Sequence, residues 1–234
     1  MSHESNPLHP LPAGLVGVAV DFDPFAADPA AAAIEQVITP TDAQREVWLA
    51  DHLGREASLA YNEAVELDLR GPLDDAAVTR LQGACQAVHQ AHQALRAVFS
   101  DDGSEMLVQP ADAAPLVFDV VDLRMQDEST RNRRLADWRQ QVVTAPFDLG
   151  KGPLFRAHLL RLTDQHGVLL LAAHHLVCDG YSFGIVLRDL ARAMRGEPLT
   201  SSAYADYAAD EARFAQSAEA GANVHFWTGR YAKD

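Results

Sequence analysis

The stretch Gly167-Val168-Leu169-Leu170-Leu171-Ala172-Ala173 runs directly into His174-His175-Leu176-Val177-Cys178-Asp179-Gly180. Its first seven residues carry no charge, so they predict a strand that is buried on both faces. The polar cluster comes at the end of this strand, where α/β proteins commonly place their chemistry. Because neighbouring strand side chains point to opposite faces, His174 and His175 cannot share one pocket. We therefore expect one histidine to be structural and the other to reach a cleft.

The residues that follow the histidines predict a turn and then a helix. Gly180 suits a turn that needs a positive φ, and Ser182 is placed to cap a helix that begins near Phe183. Cys178 lies inside the turn and Cys85 lies in an apolar helix stripe, so we interpret both thiols as packing groups. The apolar side of the new helix is formed by Ile185, Val186, Leu190 and Met194.

Upstream of this stretch, strand and helix patterns alternate along the chain. Residues 64–70 place Val65, Leu67 and Leu69 on one face, which indicates a half-buried strand. The other predicted strands are 95–99, 106–109, 116–121 and 154–162, and the last of these forms a hairpin with the histidine strand. Helices are predicted at 43–49, from Asp74 or Asp75, and at 129–145, 183–194 and 204–218. This order predicts an α/β protein with a mixed sheet flanked by helices.

Composition excludes several classes of function. The formal net charge of −14 argues against nucleic-acid binding, because no basic run is present that could neutralise consecutive phosphates. No run is long enough to predict a membrane span, and the N-terminus lacks a signal-peptide pattern. Two cysteines do not make a disulfide framework, so we expect a cytoplasmic protein. The residues 1–36 are rich in Pro, Ala and Asp and read as a largely irregular linker or docking segment, followed by a domain over 37–234.

Five stretches together resemble the signatures of condensation domains of non-ribosomal peptide synthetases. The third and catalytic signature is matched by His174-His175 with Asp179-Gly180 and Ser182. The second is matched with a departure, since Ala91-His92-Gln93 stands where the family usually has Arg-His-Glu. The remaining matches are Thr41–Trp48 for the first signature, Pro146–Leu149 with Gly152–Leu154 for the loop before the hairpin, and Tyr204–Ala208 for the fourth.

The resemblance implies a fold and a reaction. Condensation domains are pairs of chloramphenicol-acetyltransferase-like lobes, and this chain matches the N-terminal lobe, so we expect the C-terminal lobe to be absent and the fragment to be inactive alone. The implied reaction is amide-bond formation between a donor acyl or peptidyl thioester and an aminoacyl acceptor. Both are carried on the 4'-phosphopantetheine arms of carrier-protein domains, which would be the partners. The resemblance implies no directly bound cofactor.

The resemblance also assigns roles to individual residues. His175 is the catalytic histidine, acting as general base or as a positioning residue, because an imidazole with an ordinary pKa of about 6.5 can accept a proton near neutrality. His174 would hold the end of the strand through a buried hydrogen bond. Asp179 would pair with an arginine, Arg96 by motif or, on weaker grounds, Arg156. Gly180 would leave room for the substrate arm beside His175.

Several other interpretations compete with this one. A metal site is disfavoured because adjacent strand histidines diverge and no second ligand group has zinc spacing. A serine hydrolase is disfavoured because no Gly-x-Ser-x-Gly elbow is present. Epimerisation domains usually carry Trp-Arg where this chain has Phe183-Gly184, and heterocyclisation domains replace the paired histidines with acids. Two alternatives stay open: a single-lobe trimeric acyltransferase of the chloramphenicol acetyltransferase type, and a non-catalytic lobe that only docks carrier proteins.

Overall fold

A computed structural model describes residues 34–114, 116–201 and 203–231 of the 234-residue chain. The predicted linker over 1–36 lies almost wholly outside these described residues. The strands are β1 (Gln36–Ile38), β2 (Asn62–Arg70), β3 (Ala97–Phe99), β4 (Met106–Val108), β5 (Val117–Asp122), β6 (Phe155–Thr163) and β7 (His166–His174). The α-helices are α1 (Asp42–Asp51), α2 (Arg55–Ala60), α3 (Asp75–Ala91), α4 (Glu128–Val143), α5 (Gly180–Met194), α6 (Tyr204–Ala215) and α7 (Ala218–Tyr231).

The larger sheet has four strands in the order β2-β7-β6-β5. Strand β7 runs antiparallel to both of its neighbours, and all of it from Gly167 to His174 is buried, as the uncharged run predicts. Strand β2 shows the predicted alternation, with its apolar residues packed against the core. Strands β5 and β6 are parallel, and α4 supplies the crossover that a parallel pair requires. The sheet is therefore mixed and flanked by helices, which confirms the predicted class.

The smaller sheet has three antiparallel strands in the order β1-β4-β3. The paired strands predicted around the turn at 101–104 are present as β3 and β4. The sequence prediction began the first of them at Leu95, but Gln93–Arg96 forms a short 3₁₀ helix instead. Both short strands of this pair are largely buried, with Met106 and Val108 fully enclosed.

The helix starts follow from capping chemistry. Thr41 accepts a hydrogen bond from the Gln44 N–H at 3.2 Å, and the Gln44 side chain accepts one from the Thr41 N–H at 3.1 Å. This reciprocal pair is a capping box, and it fixes the start of α1 where the Thr-Pro-Thr-Asp sequence predicts it. Asp74 caps α3 with a single side-chain hydrogen bond, which the Ala77 N–H donates to its carboxylate at 2.7 Å.

The helix predicted over 204–218 is present as α6, and a second helix, α7, follows it that was not predicted. Helix α6 ends at Ala215, and the Ser217 side chain accepts a hydrogen bond from the Ala220 N–H as α7 begins. No proline or glycine lies between them, so the sequence gives no breaker signal at this boundary. Helix α7 buries none of its residues, so its apolar side chains are exposed in the described structure.

We predict that Leu169→Ala lowers the free energy of unfolding by about 2–5 kcal/mol, because it leaves a cavity in the central strand. Leu169 is fully buried in β7 between Leu67 on β2 and Leu159 on β6. The matched control is Leu53→Ala, since Leu53 is 82% exposed and its truncation is expected to change stability by less than about 0.5 kcal/mol. Urea unfolding followed by circular dichroism measures both, and equal effects of the two substitutions would contradict this packing.

Candidate active site

The end of β7 separates the two histidines as the strand geometry predicts. The side chain of His174 is completely buried, whereas that of His175 is 37% exposed. Backbone hydrogen bonds fix both positions, because the His174 N–H donates to Leu154 and the His175 N–H donates to Tyr61. The chain therefore presents one imidazole to the interior and one to the surface from adjacent residues.

Both ring nitrogens of His174 have partners. The Leu176 N–H donates to Nδ1 at 3.2 Å, so Nδ1 is an acceptor and the ring proton sits on Nε2. Nε2 lies 3.2 Å from Oδ1 of Asp51, which closes the second hydrogen bond. Burial lowers the pKa of His174, and the Asp51 carboxylate opposes that effect. This arrangement is that of a neutral, structural histidine, which is the role that the sequence predicts for it.

His175 lies beside a carboxylate that the sequence analysis did not identify. Its Nδ1 is 2.8 Å from Oε1 of Glu63, which comes from the neighbouring strand β2. The Nδ1 atom is shielded from solvent and has no aligned hydrogen bond within the described part of the chain, so the contact is at ion-pair distance only. The Tyr61 ring stacks near the imidazole, with 6.3 Å between the ring centroids. Nε2 is consequently the nitrogen that a substrate can reach.

Asp179 is the cap of α5 and does not pair with an arginine. Its Oδ1 accepts hydrogen bonds from the Ser182 N–H at 2.7 Å and from the Ser182 hydroxyl at 2.6 Å. The predictions that Ser182 caps the helix and that the helix begins near Phe183 were therefore wrong. The expected ion pair with Arg96 or Arg156 is absent from the described contacts, because the carboxylate is already satisfied within its own turn.

Gly180 is the first residue of α5, and its φ is not positive, so the predicted left-handed turn is not formed. A Cβ built at this position would meet no atom within 4 Å. The space beside this residue is therefore open in the described structure. The backbone itself therefore does not require glycine here.

Arg96 supports the smaller sheet instead of the histidine turn. Its side chain is buried, with Nη1 2.8 Å from Oε2 of Glu35 and also hydrogen-bonded to the carbonyl of Gln109. The Arg96 guanidinium holds the pKa of Glu35 below its usual range. Arg156 is likewise occupied elsewhere, donating to the Pro146 carbonyl and lying over the Phe147 ring. The structure therefore does not bring either arginine to Asp179.

The first signature and the loop before the hairpin both contact the histidine turn. Gln44 of α1 is buried and donates to the Leu176 carbonyl at 2.8 Å, while Asp51 at the other end of α1 holds His174. The Phe147 ring stands edge-on to His174, with 6.1 Å between their centroids. Three of the five sequence signatures thus meet at one point, although more than 120 residues separate Gln44 from Leu176 in the chain.

The second and fourth signatures meet behind this turn. His92 places Nε2 3.0 Å from Oδ2 of Asp189, a fully buried carboxylate of α5. Arg188 also donates to Asp189, at 3.0 Å. The Gln93 side chain accepts a hydrogen bond from the Tyr204 N–H at 2.9 Å, which joins the second signature to the start of α6. The burial of Asp189 was not predicted, because its partner His92 lies 97 residues away in the chain.

The two thiols of the chain are buried and have raised pKa values. Burial raises the pKa of Cys178 to about 12, and the pKa of Cys85 is raised to about 12 for the same reason. Both side chains are buried, in line with the packing role assigned to them. Among the described residues, no group of three or more His, Cys, Asp or Glu side chains is arranged to hold a metal ion.

A groove of about 660 Å³ lies between the start of α1 and α6, but His175 does not line it.

The described helices include none that is long and apolar enough to cross a membrane.

The sequence comparisons identify the family. The family model described as "Condensation domain" matches residues 34–234, and the chain therefore belongs to the condensation-domain family. The signatures that meet around His174 and His175 are the residues on which the sequence resemblance rested.

Relatives of known function are large synthetases. The chain is 36% identical over 193 residues to chondramide synthase cmdD of Chondromyces crocatus, covering 78% of this chain and 5% of that protein. It is 33% identical over 198 residues to phosphinothricin tripeptide synthetase PhsC of Streptomyces viridochromogenes, covering 80% of this chain and 18% of the relative. The chain thus spans a small fraction of the relatives that it matches.

Solved structures share the fold. The starter condensation domain of rhizomide synthetase RzmA superposes with a TM-score of 0.72 at 22% identity, covering 85% of this chain and 48% of that one. The first condensation domain of the calcium-dependent antibiotic synthetase, in complex with a substrate analogue, gives a TM-score of 0.69 at 25% identity, with 84% and 48% covered. The chain therefore has the chloramphenicol-acetyltransferase-like fold over about half the length of these structures.

We predict that Asp179→Ala lowers the free energy of unfolding by about 1 kcal/mol, as expected for the loss of a helix cap. Asp179→Asn is the matched control, because asparagine caps helices as well as aspartate does. A buried ion pair would instead make both substitutions cost about 3–5 kcal/mol. Denaturant unfolding of the two variants separates these outcomes.

The same cap should show a pH dependence. Hydrogen bonds from the Ser182 side chain and backbone hold the pKa of Asp179 below its usual range. Because the folded-state pKa is depressed, the carboxylate's stabilisation is present above the unfolded value of about 3.9 and is lost as pH falls through the folded value. The stability difference between the native chain and Asp179→Ala should therefore shrink below about pH 4, and a constant difference would contradict the assignment.

Proposed function

We propose that this chain is the N-terminal lobe of a condensation domain that forms amide bonds, with His175 as the group that accepts the amine proton. The observation that carries this proposal is the separation of the two histidines at the end of β7. His174 is fully buried with both nitrogens bonded, while His175 reaches the surface with Nε2 available. Of these two histidines, the exposure of His175 supports it as the one that contacts the substrate.

The proposed chemistry is the aminolysis of a thioester. The acceptor's α-amine attacks the donor carbonyl, the new C–N bond forms, and the C–S bond to the donor arm breaks. Nε2 of His175 accepts a proton from the attacking amine, and the same proton can pass to the departing sulfur, which leaves as a thiol. General base catalysis of this kind contributes about 10²–10⁴-fold to the rate. A positioning role, in which Nε2 instead orients the amine, uses the same geometry.

The remaining predicted site residues would support this geometry. His174 anchors the strand end, Asp179 fixes the start of α5, and Gly180 leaves open space beside the turn. Arg96 does not contact the histidine turn. It joins Glu35 to the end of β4 and so stabilises the fold of the lobe.

The proposed partners are donor and acceptor carrier-protein domains and the C-terminal lobe. The substrates would be tethered to 4'-phosphopantetheine on the carriers, so the lobe would bind no cofactor of its own. The chain spans about half the length of the solved condensation domains, which supports a site completed by a second lobe. Helix α7 also exposes apolar side chains that a partner lobe could cover, namely Val224, Phe226, Trp227 and Tyr231.

We predict that His175→Ala, placed in the complete two-lobed domain, lowers the rate of amide formation by about 10²–10⁴-fold without unfolding the protein. Product formation is measured by mass spectrometry after loading donor and acceptor groups onto their carriers. The control is His166→Ala, since His166 lies at the other end of β7 and is paired with Asp68 at the surface. Turnover that survives His175→Ala would overturn the assignment.

The same assay tests the alternative hypothesis, that this lobe only docks carrier proteins. Such a lobe would bind both carriers and give no turnover even when the second lobe is supplied.

A trimeric acyltransferase is the other alternative, and the mass of this chain in solution tests it. Light scattering on a sizing column should give a monomer, because the proposed site needs a different lobe and not two further copies of this one. A trimer would mean that the site is completed between subunits, and it would replace the condensation proposal.

A further inference from the structure

Strand β2 carries an acid where its alternation predicts an apolar residue. Val65, Leu67 and Leu69 occupy one face of the strand and pack against the core. Because strand side chains repeat every second residue, Glu63 belongs to the same face. Glu63 stands opposite Ala173 of β7 in the sheet register. The Glu63 side chain is 34% exposed, so only part of it lies against the strands, and that part is where a polar partner is expected.

The partner is His175. It lies two residues after Ala173, so it shares the face of Glu63 and is its diagonal neighbour across the two strands. The 2.8 Å approach joins Oε1 of Glu63 to Nδ1 of His175, and that nitrogen is shielded from solvent. The contact lacks hydrogen-bond alignment in the free chain, and catalytic hydrogen bonds often tighten only when substrate is bound.

The other nearby acid is already committed. Hydrogen bonds from Ser182 are the largest cause of the lowered pKa of Asp179, and Oδ1 of Asp179 accepts both of them at the start of α5. Within the described part of the chain, the polar side-chain contact of Glu63 is with His175. Glu63 is therefore the carboxylate placed to control which nitrogen of His175 carries the proton.

We propose that Glu63 is a positioning residue that keeps the proton of His175 on Nδ1, so that Nε2 presents its lone pair to the acceptor amine. This inference rests on the proposed function of His175. In the step itself, Nε2 gains the amine proton and the ring becomes an imidazolium. The Glu63 carboxylate then faces that positive charge from the Nδ1 side, as the acid of a Ser-His-Asp triad does. Glu63 neither gains nor loses a proton.

The first test reads the tautomer directly in this chain. Nitrogen-15 NMR of histidine-labelled protein at about pH 9, where imidazoles are neutral, distinguishes Nδ1–H from Nε2–H, and His175→Ala assigns the signal. We expect Nδ1–H in the native chain and a shift to Nε2–H in Glu63→Leu. Glu66→Leu is the matched control, because Glu66 lies on the opposite face of β2 and pairs with Arg139, and it should leave the tautomer unchanged. An Nε2–H signal in the native chain overturns the inference without any variant.

The second test is kinetic and uses the complete two-lobed domain. Glu63→Gln keeps the size of the side chain but removes its charge, so it should lower kcat by about tenfold or more while changing KM little. Wild-type kcat in Glu63→Gln overturns the inference. If His175→Ala abolishes turnover but both Glu63 tests fail, the proposed function stands and this inference falls. If turnover survives His175→Ala, the proposed function falls, while the tautomer experiment still reports on Glu63.

Discussion

The two hydrogen bonds on the ring of His174 are the constraint on which the site depends. They tie the end of β7 to its own following turn, through the Leu176 N–H, and to α1, through Asp51. A buried imidazole with an unpaired nitrogen would cost about 1–3 kcal/mol, so the pairing also specifies one orientation of the ring. With His174 held on one face of the sheet, the alternation of the strand puts His175 on the other face, and its position just past the end of β7 leaves it 37% exposed.

Helix α1 contributes at both of its ends. Its capping box places Gln44 so that the side-chain amide reaches the Leu176 carbonyl, and its last residue provides the Asp51 carboxylate. The turn that follows the histidines is thus held by long-range hydrogen bonds before Asp179 begins α5 by capping it locally. This combination explains why signatures that are far apart in the sequence occur together: in the folded chain, residues of one signature contact residues of another.

Much of the fold could be predicted from the sequence because its main elements have strong local patterns. The uncharged run of β7, the alternation of β2 and the stripe of α3 each bury one definite set of residues. The elements that were missed are short or poorly buried. Strand β1 has three residues, α2 has six and buries none, and α7 lies entirely at the surface of the described structure. Such segments depend on their neighbours and carry little pattern of their own.

The site was predictable only in part, for a related reason. Strand geometry predicts that His174 and His175 face opposite sides, and the structure has one ring buried and the other 37% exposed. The expected pairing of Asp179 with Arg96 was wrong because each group found a nearer partner: Ser182 in the same turn, and Glu35 with the Gln109 carbonyl at the smaller sheet. Asp51 gave no signal, since it meets His174 across 123 residues of chain. Glu63 did give a sequence signal, because it is the single acid in the core-facing row of β2.

The protonation of His174 as a function of pH tests the central claim, that this histidine is neutral and holds the end of β7 through its two hydrogen bonds. Burial lowers the pKa of His174, so its nitrogen-15 signals should keep the Nε2–H tautomer through the range near pH 6.5 where an exposed imidazole takes up a second proton. The signals should change only at lower pH, together with loosening of the turn. If His174 titrates alongside the exposed histidines while β7 and α5 stay intact, the structure does not depend on a neutral His174 and the account of the site fails.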